Sequence, residues 1–182
     1  MRGTGITTRY GDRGGTRLYS GEHVGKDSVR IEALGAVDET VCALGLALAA
    51  GVKPEVADVL KDLQQSLFLV GAELATLPPH LDRLPERLDA AAALRMDRQC
   101  AEWESRGPYP RDFILPGATS GGAHIDMARA LARRLERLIA RLSREEGLDN
   151  PALLQWSNRI SDLLWLLARD EERNSTTRRP SS

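Results

Sequence analysis

Gly122-Ala-His-Ile-Asp-Met-Ala-Arg-Ala-Leu-Ala-Arg-Arg-Leu-Glu-Arg-Leu-Ile-Ala-Arg-Leu142 separates into two faces when wound at about 100° per residue. Ala128, Leu131, Leu135, Leu138, Ile139 and Leu142 form an apolar stripe fit for a helical core. Arg129, Arg133, Glu136 and Arg137 gather on the other side, with Arg141 just beyond. Arg129, Arg133, Arg137 and Arg141 follow one another at i, i+4, and stacked like charges cost a few tenths of a kcal/mol per pair in an isolated helix. Two readings stay open. The face is a solvated arginine surface, or it is an anion site, because the guanidinium fork matches phosphate and carboxylate geometry where an ammonium does not. The stretch has arginines and no lysine.

The rest of the chain reads as helices of the same kind. From Asp27, a candidate N-cap, apolar residues Leu34, Val37, Val41, Leu44 and Leu48 recur at helical spacing until Gly51. A second helix starts at Pro54 with a seam of Val56, Leu60, Leu63, Leu67, Val70 and Leu74, and stops before Pro78-Pro79. A polar link over 78–86 leads to a weaker helix from Glu86 to Glu104, and residues 105–122 form a loop. After the arginine helix, capped at Gly147, a last helix runs from Pro151 to about Glu172 on Trp156, Ile160, Leu163, Leu164 and Leu167. Short connections make an all-α bundle of five helices, with neighbours mostly antiparallel. The only extended piece expected is at Arg17–Tyr19.

A length of 182 residues sets one domain, expected over 1–172, with a flexible N-terminal segment over 1–26 and a disordered polar tail over 173–182. The net charge of −1 supplies no global field toward nucleic acid or membrane, and 4% aromatics leaves no base-stacking platform. No stretch approaches a membrane span, and the N-terminus has no apolar run of a signal peptide, so a cytosolic location is expected. Cys42 and Cys100 fall in helical patterns and read as buried thiols of a reducing compartment.

Little points to protein-borne chemistry. None of His23, His80 and His124 has a Glu three residues earlier, nor do two share a helix at i, i+4, so no metal site built from protein alone is expected. Ser157 and Ser161 lack a nearby histidine. The reactive centre, if any, belongs to something bound. Gly11, Gly14, Gly15, Gly21 and Gly25 permit close backbone approach to an anion, with Thr7, Thr8, Thr16 and Ser20 adding hydroxyls and Arg9, Arg13 and Lys26 charge. The segment is not a Walker A loop. Asn158, Asp162, Trp165 and Arg169 share one stripe of the last helix, which faces solvent or lines a cleft. Asp38 borders the first seam and invites an arginine partner. Phe113 either plugs the bundle end or serves a ligand.

In order and spacing these pieces resemble the PduO-type ATP:corrinoid adenosyltransferases. The resemblance rests on Thr7-Thr-Arg-Tyr-Gly-Asp-Arg-Gly-Gly-Thr16, Lys26-Asp27, Glu32-Ala-Leu-Gly-Ala-Val-Asp-Glu39, Gln64–Glu73, Phe113-Ile-Leu-Pro-Gly117, Ala128-Arg129 with Arg133-Arg-Leu-Glu-Arg137, and Asn158-Arg-Ile-Ser-Asp162-Leu-Leu. It covers roughly residues 6–169. It implies a homotrimeric five-helix bundle that moves the 5′-deoxyadenosyl group from ATP to cob(I)alamin, with ATP bound between subunits. By resemblance, Thr7, Thr8, Arg9, Gly11, Asp12, Gly14, Thr16 and Lys26 wrap the triphosphate and its Mg²⁺. Arg129, Glu136, Arg137 and Asn158 line the nucleotide site. Asp38 pairs with Arg133 across the subunit contact, Phe113 presses on the lower corrin face, and Asp162 belongs to that cleft. Partners implied are a reductase and an acceptor enzyme that uses adenosylcobalamin. The chain departs from the family pattern at Tyr10, Thr40, Val41, Ala118 and Ser157. A bundle that binds nucleotide or corrinoid without turnover is the competing reading; a nucleic-acid binder is disfavoured by the charge and by Glu136, Glu145 and Glu146.

Overall fold

The computed structural model describes Arg9 and residues 11–175. Five helices follow a two-stranded hairpin: α1 Val29–Ala49, α2 Pro54–Leu74, α3 Ala90–Ser105, α4 Ser120–Glu146 and α5 Pro151–Glu171. Local chemistry sets most of the ends. Ser28, one residue past the expected Asp27, caps α1 by accepting from the Ile31 N–H, and Gly51 turns the chain away at φ +78°. Asp89 caps α3 through the Ala92 N–H at 2.7 Å, so this helix begins four residues after Glu86. The preceding link is itself ordered, as a 3-10 turn at Pro78–Arg83. Thr119 caps α4 by accepting from the Gly122 N–H at 2.9 Å, so the helix starts at Ser120, two residues ahead of Gly122, and Gly147 ends it at φ +67°. Thr119→Ala should cost about 1 kcal/mol, read as a lower urea midpoint at unchanged slope.

The arginine helix is central. α4 packs between α1 and α5, with α2 against α1 and α3 against α5. Ala128, Ala132, Leu135, Ile139 and Leu142 of α4, the whole Val56–Leu74 seam of α2, and Ile160, Leu163, Leu164 and Leu167 of α5 are buried together. On α1 the buried set is only partly the expected seam: Val37 and Leu44 are buried as expected. Ala33, Ala36, Ala43 and Ala47 reach zero or near-zero exposure, while Leu34, Val41 and Leu48 lie at the edge. Small side chains let α1 approach α4 closely, which turns the larger residues toward the α2 groove. Thr40 sits in this contact and returns its hydroxyl to the Ala36 carbonyl at 2.7 Å, so that departure is absorbed in the core. Ser157 is likewise buried and bonds the Leu154 carbonyl at 3.0 Å. Cys42 corrects the expectation of two buried thiols: it faces outward, while Cys100 is half-buried. No helix among the described residues is long and apolar enough to cross a membrane.

The segment expected to be flexible is structured from Gly11 onward. Gly15–Arg17 pairs antiparallel with His23–Gly25, displacing the extended piece expected at Arg17–Tyr19. The hairpin is pinned because Leu18 is buried, the Tyr19 N–H donates to the Ala75 carbonyl, and Ser20 accepts from the Leu77 N–H. Glu22 meets His80 at 3.0 Å; the Ser20 hydroxyl beside it holds its carboxyl below the usual range. At the other terminus Arg173, expected in the loose tail, pairs with Asp170 and donates to the Arg106 carbonyl. Residues 176–182 lie outside the described residues.

Candidate functional site

The outer face of α4 sorts its arginines by what they hold. Arg141 pairs with Glu145 at 2.8 Å, and Arg134 bridges to Glu32 and Glu39 of α1. Arg129 pairs with Asp126 at 2.8 Å. Arg133 and Arg137 are exposed and meet no carboxylate among the described residues; Arg137 donates only to the Arg133 carbonyl at 2.9 Å. Glu136 stands between them, half-buried. Asp38 is also exposed, its recorded neighbour being the Cys42 thiol at 4.0 Å. The single chain therefore does not join Asp38 to Arg133.

Near the start of α4, Phe113 stands 91% exposed at the rim of a hollow. That exposure removes the reading of Phe113 as a plug of the bundle end. The hollow holds about 380 Å³ and is walled by Arg111, Ile114, Pro116, Asp126, Arg129, Trp165 and Arg169. An apolar ring held in water beside a partly charged cavity costs solvation energy unless something covers it. Beneath it lies a buried ionic relay that the sequence did not announce. Arg169, 6% exposed, pairs with Asp126, 4% exposed, and with Glu172 at 2.9 Å. Asp126 reaches on to Arg129, and Glu172 accepts the Ala118 N–H at 3.0 Å. Arg169 had been read only as a stripe residue. The available signal is Asp126, three residues before Arg129 on the arginine side of the same helix.

Asp162 lies elsewhere. It lines a neighbouring hollow of about 440 Å³ with Asp97, Cys100, Glu104, Arg159 and Trp165, and only Trp165 is shared with the Phe113 hollow. Asn158 is exposed one turn earlier on α5. Burial, reinforced by Asp162, pushes the Cys100 thiol up to about 11. Since the thiolate is the reactive form, alkylation of Cys100 should stay slow at pH 8 and climb steadily toward pH 11, while exposed Cys42 reacts first. Mass spectrometry of partly alkylated protein checks the order.

Of the N-terminal set, Thr7, Thr8 and Tyr10 lie outside the described residues. Arg9 adopts φ +56°, a left-handed conformation uncommon for a residue with a side chain. Lys26 folds back over the turn that follows: a Cβ on Gly11 would come within 2.5 Å of its Nζ, and its N–H donates to the Gly14 carbonyl at 2.8 Å. Glycine at 11 is what admits the ammonium there. Asp12 is exposed on the same turn, and Thr16 is half-buried in β1.

The geometry is that of a helical bundle carrying two arginines without carboxylate partners among the described residues and an uncovered phenylalanine at the rim of a polar hollow, the kind of concave site small molecules use. A family model described as cobalamin adenosyltransferase matches residues 6–171, and the chain belongs to that family. A corrinoid adenosyltransferase of Citrobacter freundii is 38% identical over 171 residues, spanning 92% of this chain and 94% of its own. A cobalamin adenosyltransferase of Cupriavidus metallidurans is 39% identical over 165 residues, spanning 90% and 86%. A variant of the PduO-type ATP:corrinoid adenosyltransferase from Lactobacillus reuteri, complexed with cobalamin and ATP, superposes with a TM-score of 0.84 at 28% identity, covering 96% of this chain and 98% of that one.

Proposed function

We propose that the protein transfers the 5′-deoxyadenosyl group of ATP to the cobalt of a reduced corrinoid, as the names of its relatives imply for them. Co(I) attacks C5′, the Co–C bond forms, and the C5′–O5′ bond breaks with its electron pair leaving on triphosphate. The cobalt is oxidised to Co(III) as the carbon accepts its electron pair. No protein nucleophile is required. The protein's share is to hold the two substrates in line and to meet the charge that builds on the leaving group. Arg137 and Lys26 meet that charge, with Arg129, Glu136 and Asn158 lining the nucleotide. Magnesium arriving on the phosphate oxygens offsets part of their charge.

The observation that carries this reading is the combination of an uncovered Phe113 with two exposed α4 arginines, Arg133 and Arg137, that meet no carboxylate among the described residues. Phe113 covers the lower corrin face, displacing water and the lower axial ligand so that Co(II) is more easily reduced. Asp162, in the adjoining hollow, bounds the same corrin side from across Trp165. Arg133, Arg137 and Asp38, all exposed and without ionic partners among the described residues, support a homotrimer in which Asp38 meets Arg133 of a neighbour and ATP lies between copies. A reductase then supplies the reduced corrinoid, and an adenosylcobalamin-dependent enzyme takes the product.

Purified protein given ATP, Mg²⁺ and chemically reduced cobalamin should form light-sensitive adenosylcobalamin and release one triphosphate per product. Binding of ATP without product would make it a carrier instead and overturn the assignment.

A further inference from the structure

Phe113 sits midway along a long, exposed loop: Arg111, Asp112, Leu115, Pro116 and Gly117 are all open to solvent. Such a loop cannot hold a ring in register unless something fixes its return to the helix. The return point is Ala118, whose N–H donates to Glu172 Oε1 at 3.0 Å. Glu172 comes from just past the end of α5 and is only 6% exposed. Its other oxygen is held by Arg169 at 2.9 Å, and Arg169 is locked in turn by Asp126. The carboxylate is therefore set rigidly before it reaches the loop. The start of α4 is shaped to admit it: a Cβ on Gly122 would come within 2.6 Å of Glu172 Cγ, and one on Gly121 within 2.6 Å of Val52 Cγ1. Gly122 thus leaves room for Glu172 at the α5 terminus, and Gly121 for Val52 of the α1–α2 connection.

We propose that Glu172 is a positioning residue that latches the Phe113 loop to the end of α5, so that the corrin-facing ring is held by a buried carboxylate two helices further along the chain. The proposal rests on Phe113 as the corrin-facing group, but the latch itself is a property of the free protein. Arg129, paired to Asp126 at 2.8 Å, is the opposite end of the same relay, so the loop and the arginine helix share one anchor. Glu172 touches no reacting atom.

The test uses full-length Glu172→Ala and Glu172→Gln. In the ligand-free protein, trypsin should cut after Arg111 about tenfold faster in Glu172→Ala, the scale of one charge-assisted hydrogen bond. In assays KM for cobalamin should rise by about the same factor while KM for ATP stays within about twofold, the split expected when one substrate's site loosens. Glu172→Gln, which keeps a carbonyl for the Ala118 N–H, should recover most of both. Unchanged cleavage at Arg111, or equal rises in both KM values, would overturn the latch. If the wild-type protein formed no adenosylcobalamin, the proteolysis arm would still decide it.

Discussion

Arg137→Ala should lose about 10²- to 10³-fold in the rate of adenosylcobalamin formation, the range seen when one preorganised donor to a developing anion is removed. The expectation follows from how α4 distributes its cations. Arg129, Arg134 and Arg141 each have a carboxylate, so each guanidinium is already spent on holding the chain. Arg137 has none among the described residues and points outward, its one bond running to the Arg133 carbonyl. Removing an exposed side chain with no partner should leave stability within about 0.5 kcal/mol. The helical circular dichroism and the urea midpoint should therefore match wild type while turnover falls. Arg137→Lys should restore only part of the rate, because the ammonium keeps the charge and loses the fork. Arg141→Ala, one turn along the same row, is the control and should stay close to wild-type activity. Equal turnover in Arg137→Ala and wild type would remove Arg137 from the charge-stabilising role.

The contrast between Arg137 and its neighbours also marks what can be read from sequence. Periodicity identified the five helices because long amphipathic runs have one stable burial solution, and the buried stripe of α4 is the expected one apart from Leu131 at its edge. On α1 it found Val37 and Leu44 but not the four buried alanines, because alanine counts weakly as an apolar signal. The hairpin escaped notice because strands of three residues carry no alternation, and their stability comes from Leu18 and from bonds to Ala75 and Leu77 far along the chain. The candidate site divided in the same way. Phe113 and the arginine row stood out in sequence as a rare residue type and a repeated one. Glu172 and Asp126 did not, since an ionic residue at a helix end is ordinary until its burial and its partner are known.

That buried partner set supports the second large expectation. Arg169→Ala should cost about 3–5 kcal/mol, because it leaves Asp126 and Glu172 as uncompensated carboxylates in a site with almost no water. For a chain of this size that corresponds to a fall in Tm of roughly 6–20 °C. Desolvation, rather than the lost attraction, dominates: both carboxylates were placed inside on the strength of one guanidinium, and neither can move out without releasing Ala118 or α4. Arg169→Lys should lose less, yet still fall well below wild type, since one ammonium cannot span both acids as the planar fork does. Adding Asp126→Asn and Glu172→Gln to Arg169→Ala should recover part of the loss by removing the charges that had become unpaired, so the combined effect should be well below the sum of the single losses. Calorimetry on wild type, the four single variants and the triple variant distinguishes the cases. Additive losses, or an Arg169→Ala protein within about 1 kcal/mol of wild type, would mean that water reaches the cluster and that the relay does not anchor the loop.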